Sequence, residues 1–164
     1  MGRGRPGLDG QVQRPIGGWL GRKNSVVLAP GYAPADGIRS VVSGTPPILG
    51  MLPVRDGVEL TVEAGIEAIR AKSLLLTGFA IEIIDSWPAG LGIRVASPRN
   101  GSQRGGHVAI ARPDFGELMP VLHAQGVIPD FRAPDGIRIG LAPLSTSFVE
   151  VYDAMQVIRS VVGG

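Results

Sequence analysis

GIRIGLAPLSTSFVEVYDAMQVIRSVVGG, residues 136–164, contains two hydrophobic periods and decides the fold class. In its first part every second residue is apolar, which predicts a strand over residues 136–141 with Ile137 and Ile139 on one face and Arg138 on the other. After Ser147 the period lengthens to that of a helix, and Ser147 with Glu150 matches a capping box. The chain is therefore expected to end in a strand followed by a helix. The predicted inward positions of this helix are Phe148, Val151, Tyr152, Met155, Ile158 and Val162.

The rest of the chain continues this mixture of helices and short strands. Turn-forming residues 97–101 separate two apolar segments, so we expect a hairpin of strands over 91–96 and 107–111. A short helix is expected over 114–124 and a short strand over 126–129. Two helices are predicted upstream, over 47–61 with a kink at Pro53 and over 64–87. The apolar stripe of the second is Ile66, Ile69, Leu76, Ala80, Ile84 and Trp87.

This pattern predicts an α+β fold, with helices packed on a small, mostly antiparallel sheet. The element order lacks the repeated crossover units of a doubly wound sheet. Residues 1–17 are rich in Gly, Arg and Pro and are expected to be mobile. Residues 18–46 contain Pro30-Gly31, Ala33-Pro34 and the start of Pro46-Pro47, each of which disfavours helix, so an extended loop is expected there. The predicted organisation is a mobile segment, an extended loop and an α+β domain over 47–164.

The composition excludes several classes of function. A net charge of +2, from 16 basic and 14 acidic residues, is too small to indicate a nucleic-acid or membrane surface. The absence of cysteine excludes disulfides, thiolate metal sites and cysteine nucleophiles. His107 and His123 lack neighbouring carboxylates at metal-binding spacing, and neither is assigned a role. No membrane span of about 20 apolar residues and no signal peptide are found, so a cytoplasmic protein is expected.

Four segments carry a resemblance to a known family. In chain order they are Gly18-Trp19-Leu20-Gly21; Ser43-Gly44-Thr45-Pro46-Pro47; Ala64-Gly65 with Arg70-Ala71-Lys72-Ser73-Leu74; and Gly126-Val127-Ile128 with Asp130-Phe131-Arg132, Ile137-Arg138 and Ala142-Pro143-Leu144. Over residues 14–162 they resemble the C-terminal portion of kynureninase. The resemblance implies the smaller domain of a fold-type-I, aminotransferase-class-V enzyme with pyridoxal 5'-phosphate (PLP) as cofactor. The implied reaction is hydrolysis of L-kynurenine to anthranilate and L-alanine in tryptophan breakdown.

The resemblance also implies roles for three residues. Trp19 matches the family tryptophan whose indole N–H binds the PLP phosphate, and Thr45 matches a residue that hydrogen-bonds the same phosphate. Arg138 matches the arginine that holds the substrate α-carboxylate, which suits the fork of a guanidinium. In the family the first two positions reach into the partner subunit's site, which implies a homodimer with residues 18–46 at its interface. The residue types alone leave a packing tryptophan, a helix N-cap and a solvated arginine open.

The lysine that bears the cofactor in this family has no match. In the family the Schiff-base lysine lies just upstream of the segment matched by Gly18-Trp19. The two lysines present, Lys23 and Lys72, stand in other contexts. The chain is therefore expected to be a fragment that is inactive alone, and no catalytic residue is assigned. Further departures from the family pattern stand at Arg22, Pro53 and Ser145.

Three functional classes stay open. The first is part of a kynureninase-type enzyme that needs a missing large domain. The second is a non-catalytic remnant that dimerises or binds a ligand. The third rests on Arg3-Gly4-Arg5-Pro6, which resembles an A/T-hook that enters the DNA minor groove but lacks the usual flanking basic cluster. Within PLP chemistry a cysteine desulfurase would share the fold, but it is not expected to share Gly-Trp-x-Gly followed by Gly-Thr-Pro-Pro.

Overall fold

The structure, a computed structural model, describes residues 16–27 and 30–164. The chain divides into two compact units, Met1–Val58 and Glu59–Gly164. Most of the predicted mobile segment, including the Arg3-Gly4-Arg5-Pro6 motif, lies outside the described residues. The predicted divisions after residues 17 and 46 stay predictions.

The second unit contains a four-stranded antiparallel sheet. Its strands are β1 (Arg94–Val95), β2 (His107–Ala111), β3 (Asp130–Arg132) and β4 (Gly136–Gly140), in the order β1-β2-β4-β3. At its centre Val108 pairs with Ile139, and Ile110 pairs with Ile137. All four side chains are buried, so they share the core-facing side of the sheet. Because side chains alternate along a strand, Arg138 lies on the opposite side.

Helices α2 (Ile66–Asp85), α3 (Phe115–Ala124) and α4 (Phe148–Gly163) pack together with the apolar side of the sheet. Helix α4 begins with the predicted capping box: the Ser147 hydroxyl accepts from the Glu150 N–H, and the Glu150 carboxylate accepts from the Ser147 N–H. These contacts satisfy helix N–H groups that lack a partner within the helix. The core is formed by Leu76, Ala80, Ile81, Ile84, Trp87, Val108, Ile110, Phe115, Leu122, Ile137, Ile139, Leu141, Val151, Met155, Ile158 and Val162.

The α+β prediction is confirmed, and four of its details are wrong. The strand expected over 91–96 is only Arg94–Val95, because Ala89–Leu91 forms a short 3-10 helix. The strand expected over 126–129 lies instead at Asp130–Arg132. Proline has no N–H to donate to a strand ladder, and the pairing with β4 begins just after Pro129. Phe148 and Tyr152 were expected inward on α4 but are exposed, since only the narrower stripe through Val151 and Met155 faces the core. Ile66, on the predicted stripe of α2, is also exposed.

A buried arginine organises the connection between β1 and β2. The Arg104 guanidinium donates to the carbonyls of Pro98 and Arg99, and its Nε donates to the Thr77 hydroxyl of α2 at 3.0 Å. Arg70, also on α2, donates to the carbonyls of Gly101 and Arg104. Two cations therefore satisfy four carbonyls of one irregular loop.

The first unit contains the chain around residues 16–47 and most of α1 (Ile48–Ala64), the helix that crosses the boundary between the units. Lys23 and Ala33 join by a backbone hydrogen bond, as do Gly21 and Ala35, so the two segments run side by side. The predicted helix is confirmed as α1, which includes Pro53 and ends at Ala64 rather than at residue 61, and the kink at Pro53 stays a prediction. This helix buries no residue. No helix among the described residues is long and apolar enough to span a membrane.

Candidate functional site

Trp19 and Thr45 lie on two segments of the first unit whose backbones are in contact. A Cβ atom on residue 18 would lie 1.9 Å from the Ser43 carbonyl oxygen and 2.1 Å from the Ser43 Cα. Only glycine permits so close an approach, because it has no side chain. Since Trp19 follows Gly18 and Thr45 lies two residues after Ser43, this contact brings the two predicted cofactor-binding residues into one neighbourhood.

A tight turn presents the Trp19 side chain. The Gly21 N–H donates to the Gly18 carbonyl at 3.1 Å, and the Tyr32 hydroxyl donates to the same oxygen at 3.1 Å. A Cβ atom on Gly21 would lie 2.7 Å from the Val42 carbonyl oxygen, so this turn is also packed closely. The Trp19 side chain remains 54% exposed. Trp19 is therefore not a core residue of this chain, and its interpretation as an interface tryptophan stays a prediction.

Thr45 is exposed and stands three positions before the first residue of α1. The Pro47 carbonyl accepts from the Met51 N–H at 2.9 Å, which places Pro47 at the N-cap position of that helix. The interpretation of Thr45 as an ordinary N-cap is therefore not supported. Its hydroxyl group can donate and accept hydrogen bonds.

These groups fit the phosphate end of PLP better than its aldehyde end. An exposed indole donor and a nearby exposed hydroxyl are suited to phosphate oxygens. The aldehyde of PLP would need a free lysine amine. Lys72 Nζ, on α2, is already engaged, since it donates to the Pro143 carbonyl at 2.6 Å. The Lys23 backbone belongs to the paired segments of the first unit. Neither lysine stands in the family's context for a cofactor-bearing residue. In the described part of the chain, no group of three or more His, Asp or Glu side chains could hold a metal ion.

Arg138 lies at the centre of β4, directly opposite Asp130 of β3. The Arg138 side chain is 39% exposed, and its guanidinium forms an ion pair with the Asp130 carboxylate. Arg132 donates to the same Asp130 oxygen at 2.6 Å. Partial desolvation acts to raise the pKa of Asp130, but the hydrogen bonds from Arg132 and Arg138 outweigh it and the pKa is lowered. Arg138 is therefore a half-exposed cation on the side of the sheet that faces away from the core.

The predicted site residues thus belong to separate units. Trp19 and Thr45 lie on two segments of Met1–Val58 that are in contact at Gly18 and Ser43, and Arg138 belongs to Glu59–Gly164. Asp130 and Arg132 were noticed in the sequence only as part of a family segment, without a role. Their spacing of two residues puts both on one face of a strand, and that signal was available. The contact of Asp130 with Arg138 could not be predicted from the sequence, because it depends on the register of β3 against β4.

Comparison with known proteins identifies the family. The sequence model described as "Kynureninase C-terminal domain" matches residues 69–158, which include most of α2, the whole sheet, α3 and most of α4. This chain belongs to that family. A kynureninase from Burkholderia mallei (strain SAVP1) is 36% identical over 149 residues, which are 91% of this chain and 36% of the relative. A kynureninase from Pseudomonas fluorescens is 33% identical over 156 residues, which are 95% of this chain and 38% of the relative.

Solved structures agree on the fold. The apo cysteine desulfurase from Thermococcus onnurineus NA1 matches 98% of this chain and 42% of its own with a TM-score of 0.76 at 20% identity. A cysteine desulfurase from Escherichia coli matches 90% of this chain and 38% of its own with a TM-score of 0.67 at 14% identity. At these identities the likeness supports the fold alone. The kynureninase relatives, not these structures, support PLP as the family's cofactor. This kynureninase-family chain spans little more than a third of the kynureninases it matches.

Proposed function

We propose that this chain forms the C-terminal part of a kynureninase-type enzyme, a PLP-dependent hydrolase that converts L-kynurenine to anthranilate and L-alanine. The observation that carries the proposal is Arg138. It lies within the matched family region, at the centre of β4, with its guanidinium half exposed on the side of the sheet away from the core. A cation held by a strand and open to solvent is suited to bind an amino-acid carboxylate.

The chain's own residues would supply binding and orientation. Arg138 would hold the α-carboxylate of kynurenine, and a guanidinium fork restricts the angle at which a carboxylate approaches. Trp19 and Thr45 would hold the phosphate through the indole N–H and the hydroxyl, on segments fixed by the contact of Gly18 with Ser43. PLP, when bound, supplies an electron sink at the amino-acid carbon. No catalytic residue is proposed for this chain, so its activity depends on a lysine supplied from elsewhere.

The surface of α1 supports the proposal that another protein body covers this helix. Exposed apolar side chains occur along its whole length, including Leu49, which is 83% exposed. A helix that is apolar on several faces is ordinarily buried. We take the cofactor-binding domain of a kynureninase-type chain as its partner, and a homodimer as the complete assembly. A cytoplasmic location stays a prediction.

A non-catalytic domain that dimerises or binds an amino acid is the second candidate. It is favoured by the side chain of Lys72, which is engaged with the Pro143 carbonyl rather than free to react. This candidate would retain Arg138 as a carboxylate-binding group without turnover. The A/T-hook alternative rests on residues outside the described part of the chain. It would require salt-dependent DNA binding that is lost when Arg3 and Arg5 are changed.

The test combines this chain with the complementary N-terminal portion of Pseudomonas fluorescens kynureninase. Each piece and the mixture are assayed for PLP absorbance, borohydride trapping and kynurenine hydrolysis. We expect no adduct and no turnover for this chain alone, and turnover by the mixture. The mixture made with Arg138→Gln should still bind PLP but lose most of its turnover, since the carboxylate contact is gone.

Three other outcomes have distinct meanings. A trapped adduct at Lys23 or Lys72 with turnover by this chain alone would contradict its dependence on an external lysine. A stable mixed complex that binds PLP but does not hydrolyse kynurenine would favour the non-catalytic alternative. Equal turnover by the wild-type and Arg138→Gln mixtures would remove the role proposed for Arg138.

A further inference from the structure

Asp130, Arg132 and Arg138 form one ionic cluster on the outward side of the sheet. The β3–β4 register places Asp130 opposite Arg138 and Arg132 opposite Gly136. Because Gly136 has no side chain, the Arg132 side chain has no side chain opposite it on β4. Arg132 therefore turns along its own strand, where its Nη2 donates to the Asp130 Oδ2 atom at 2.6 Å.

A single carboxylate oxygen serves both cations. Asp130 Oδ2 accepts from Arg132 Nη2 and also from Arg138 Nη2. The cluster contains two guanidinium groups and one carboxylate, which leaves one unit of positive charge. In the described part of the chain, the Arg138 guanidinium has no hydrogen bond other than this one. One further carboxylate would make the cluster neutral and give each cation its own anion.

We propose that Asp130 is the resident counter-ion of Arg138, and that Arg132 retains Asp130 when Arg138 turns to the carboxylate of a bound amino acid. This inference rests on the proposed function, because it takes Arg138 as the carboxylate-binding residue. It adds a competitor and a positioning residue that the family assignment does not include. The side chains of Asp130 and Arg132 touch no ligand in this scheme and act only through Arg138.

The exposure of the cluster limits the size of the effect. The side chains of Asp130, Arg132 and Arg138 are 46%, 60% and 39% exposed. Exposed ion pairs are weak, so breaking the contact between Asp130 and Arg138 should change ligand affinity by no more than about fivefold. Arg132 lowers the free energy needed to separate Asp130 from Arg138, since the Asp130 carboxylate keeps Arg132 as a partner after the exchange. A ligand can therefore displace Asp130 readily.

The proposal predicts effects of opposite sign for two neighbouring substitutions. Asp130→Asn removes the competitor and should tighten carboxylate binding by about two- to fivefold. Arg132→Gln leaves Asp130 with Arg138 as its one partner and should weaken binding by a similar factor. Asp130→Asn should also steepen the salt dependence of binding, because the cluster then has two positive charges instead of one.

The experiment is a titration of the full chain with L-kynurenine, and separately with acetate, at fixed ionic strength. The signal is the NMR shift of the Arg138 Nε–Hε group, assigned by its loss in Arg138→Gln. The matched control is Asp85→Asn, which breaks another exposed arginine–aspartate pair, between the end of α2 and Arg99. This control should leave the dissociation constant unchanged.

Each outcome bears on one of the two proposals. Opposite shifts of the dissociation constant in Asp130→Asn and Arg132→Gln support the exchange. Weaker binding in Asp130→Asn, or no change in either variant, would overturn the exchange while leaving Arg138 as the carboxylate site. The absence of a saturable shift at Arg138 in every chain, Asp130→Asn included, would overturn the assignment of Arg138 and with it the proposed function.

Discussion

At the scale of single residues, Gly18 determines whether the Trp19 segment and the Thr45 segment can meet. Gly18→Ala would place a methyl group 1.9 Å from the Ser43 carbonyl oxygen, so one of the two backbones must move. Overpacking of this kind costs about 1–3 kcal/mol. We expect amide hydrogen exchange in residues 17–21 and 40–45 to accelerate by about fivefold or more, since the free energy of local opening becomes smaller.

Gly44 provides the matched control for this substitution. It lies in the same segment, beside Thr45, but a Cβ atom there would meet nothing within 4 Å. Gly44→Ala should therefore leave exchange in residues 17–21 unchanged. If Gly18→Ala and Gly44→Ala behave alike, the backbone contact between Gly18 and Ser43 does not hold these segments together. Neither variant should alter exchange in β2 or β4, which belong to the other unit.

At the scale of secondary-structure elements, the local sequence was sufficient to predict an element that has one regular hydrophobic period and residues that mark its ends. Helix α4 has a capping box and a regular apolar stripe, and β4 alternates strictly, so both were predicted closely. Strand β3 was misplaced because its position depends on pairing with β4 rather than on its own apolar content. The same dependence on pairing hid the cluster of Asp130 and Arg132 with Arg138. The contact between Gly18 and Ser43 was hidden for a similar reason, since it joins residues distant in sequence.

The loop between β1 and β2 gives a prediction at this scale. Arg104→Met would fill much of the same volume but leave the carbonyls of Pro98 and Arg99 and the Thr77 hydroxyl without their donor. The Thr77 hydroxyl is buried and the two carbonyl hydrogen bonds are partly buried, so we expect a loss of about 1–3 kcal/mol in the free energy of unfolding. Urea unfolding monitored by circular dichroism measures this loss. Arg159→Gln, on an exposed position of α4, is the control and should change the free energy by less than about 0.5 kcal/mol.

At the scale of the whole molecule, three carboxyl groups make stability depend on pH. Hydrogen bonds from Arg99 lower the pKa of Asp85, and hydrogen bonds from Ser147 lower that of Glu150. For Asp130, desolvation opposes the two arginine hydrogen bonds, yet its pKa is also lowered. A folded-state pKa below the unfolded value means that the unfolded chain binds protons more readily. The stabilisation is therefore complete above about pH 5 and is lost as the pH falls below about 4, through the lowered folded-state pKa values.

The midpoint of urea unfolding should accordingly fall between pH 5 and pH 3 and change little between pH 5 and pH 7. The double variant Asp85→Asn with Asp130→Asn lacks two of the three groups and should show a flatter acid dependence, with a lower midpoint at pH 7. An equal midpoint for the wild type at pH 7 and pH 3 would contradict this prediction. So would an acid dependence as steep in the double variant as in the wild type.

Helix α1 gives the second prediction for the whole molecule, because its exposed apolar residues should make this chain associate. Leu49, Val54 and Leu60 are all more than half exposed, and a surface of this kind ordinarily marks an interface. We expect the wild-type chain to self-associate as its concentration rises, measured by light scattering after size-exclusion chromatography. Replacing these three residues with glutamate should give a monomer, since charged side chains resist desolvation.

A substitution at Ile128 distinguishes association through α1 from non-specific association of exposed apolar residues. Ile128 is 78% exposed but lies outside α1, in the segment before β3, so Ile128→Glu should leave self-association unchanged. Adding the N-terminal portion of a kynureninase should replace self-association by a mixed complex if that portion covers α1. A wild-type chain that stays monomeric at every concentration would contradict the prediction of self-association. Association that persists in the triple glutamate variant would place the interface elsewhere, and the cofactor-binding domain would then need a different docking surface.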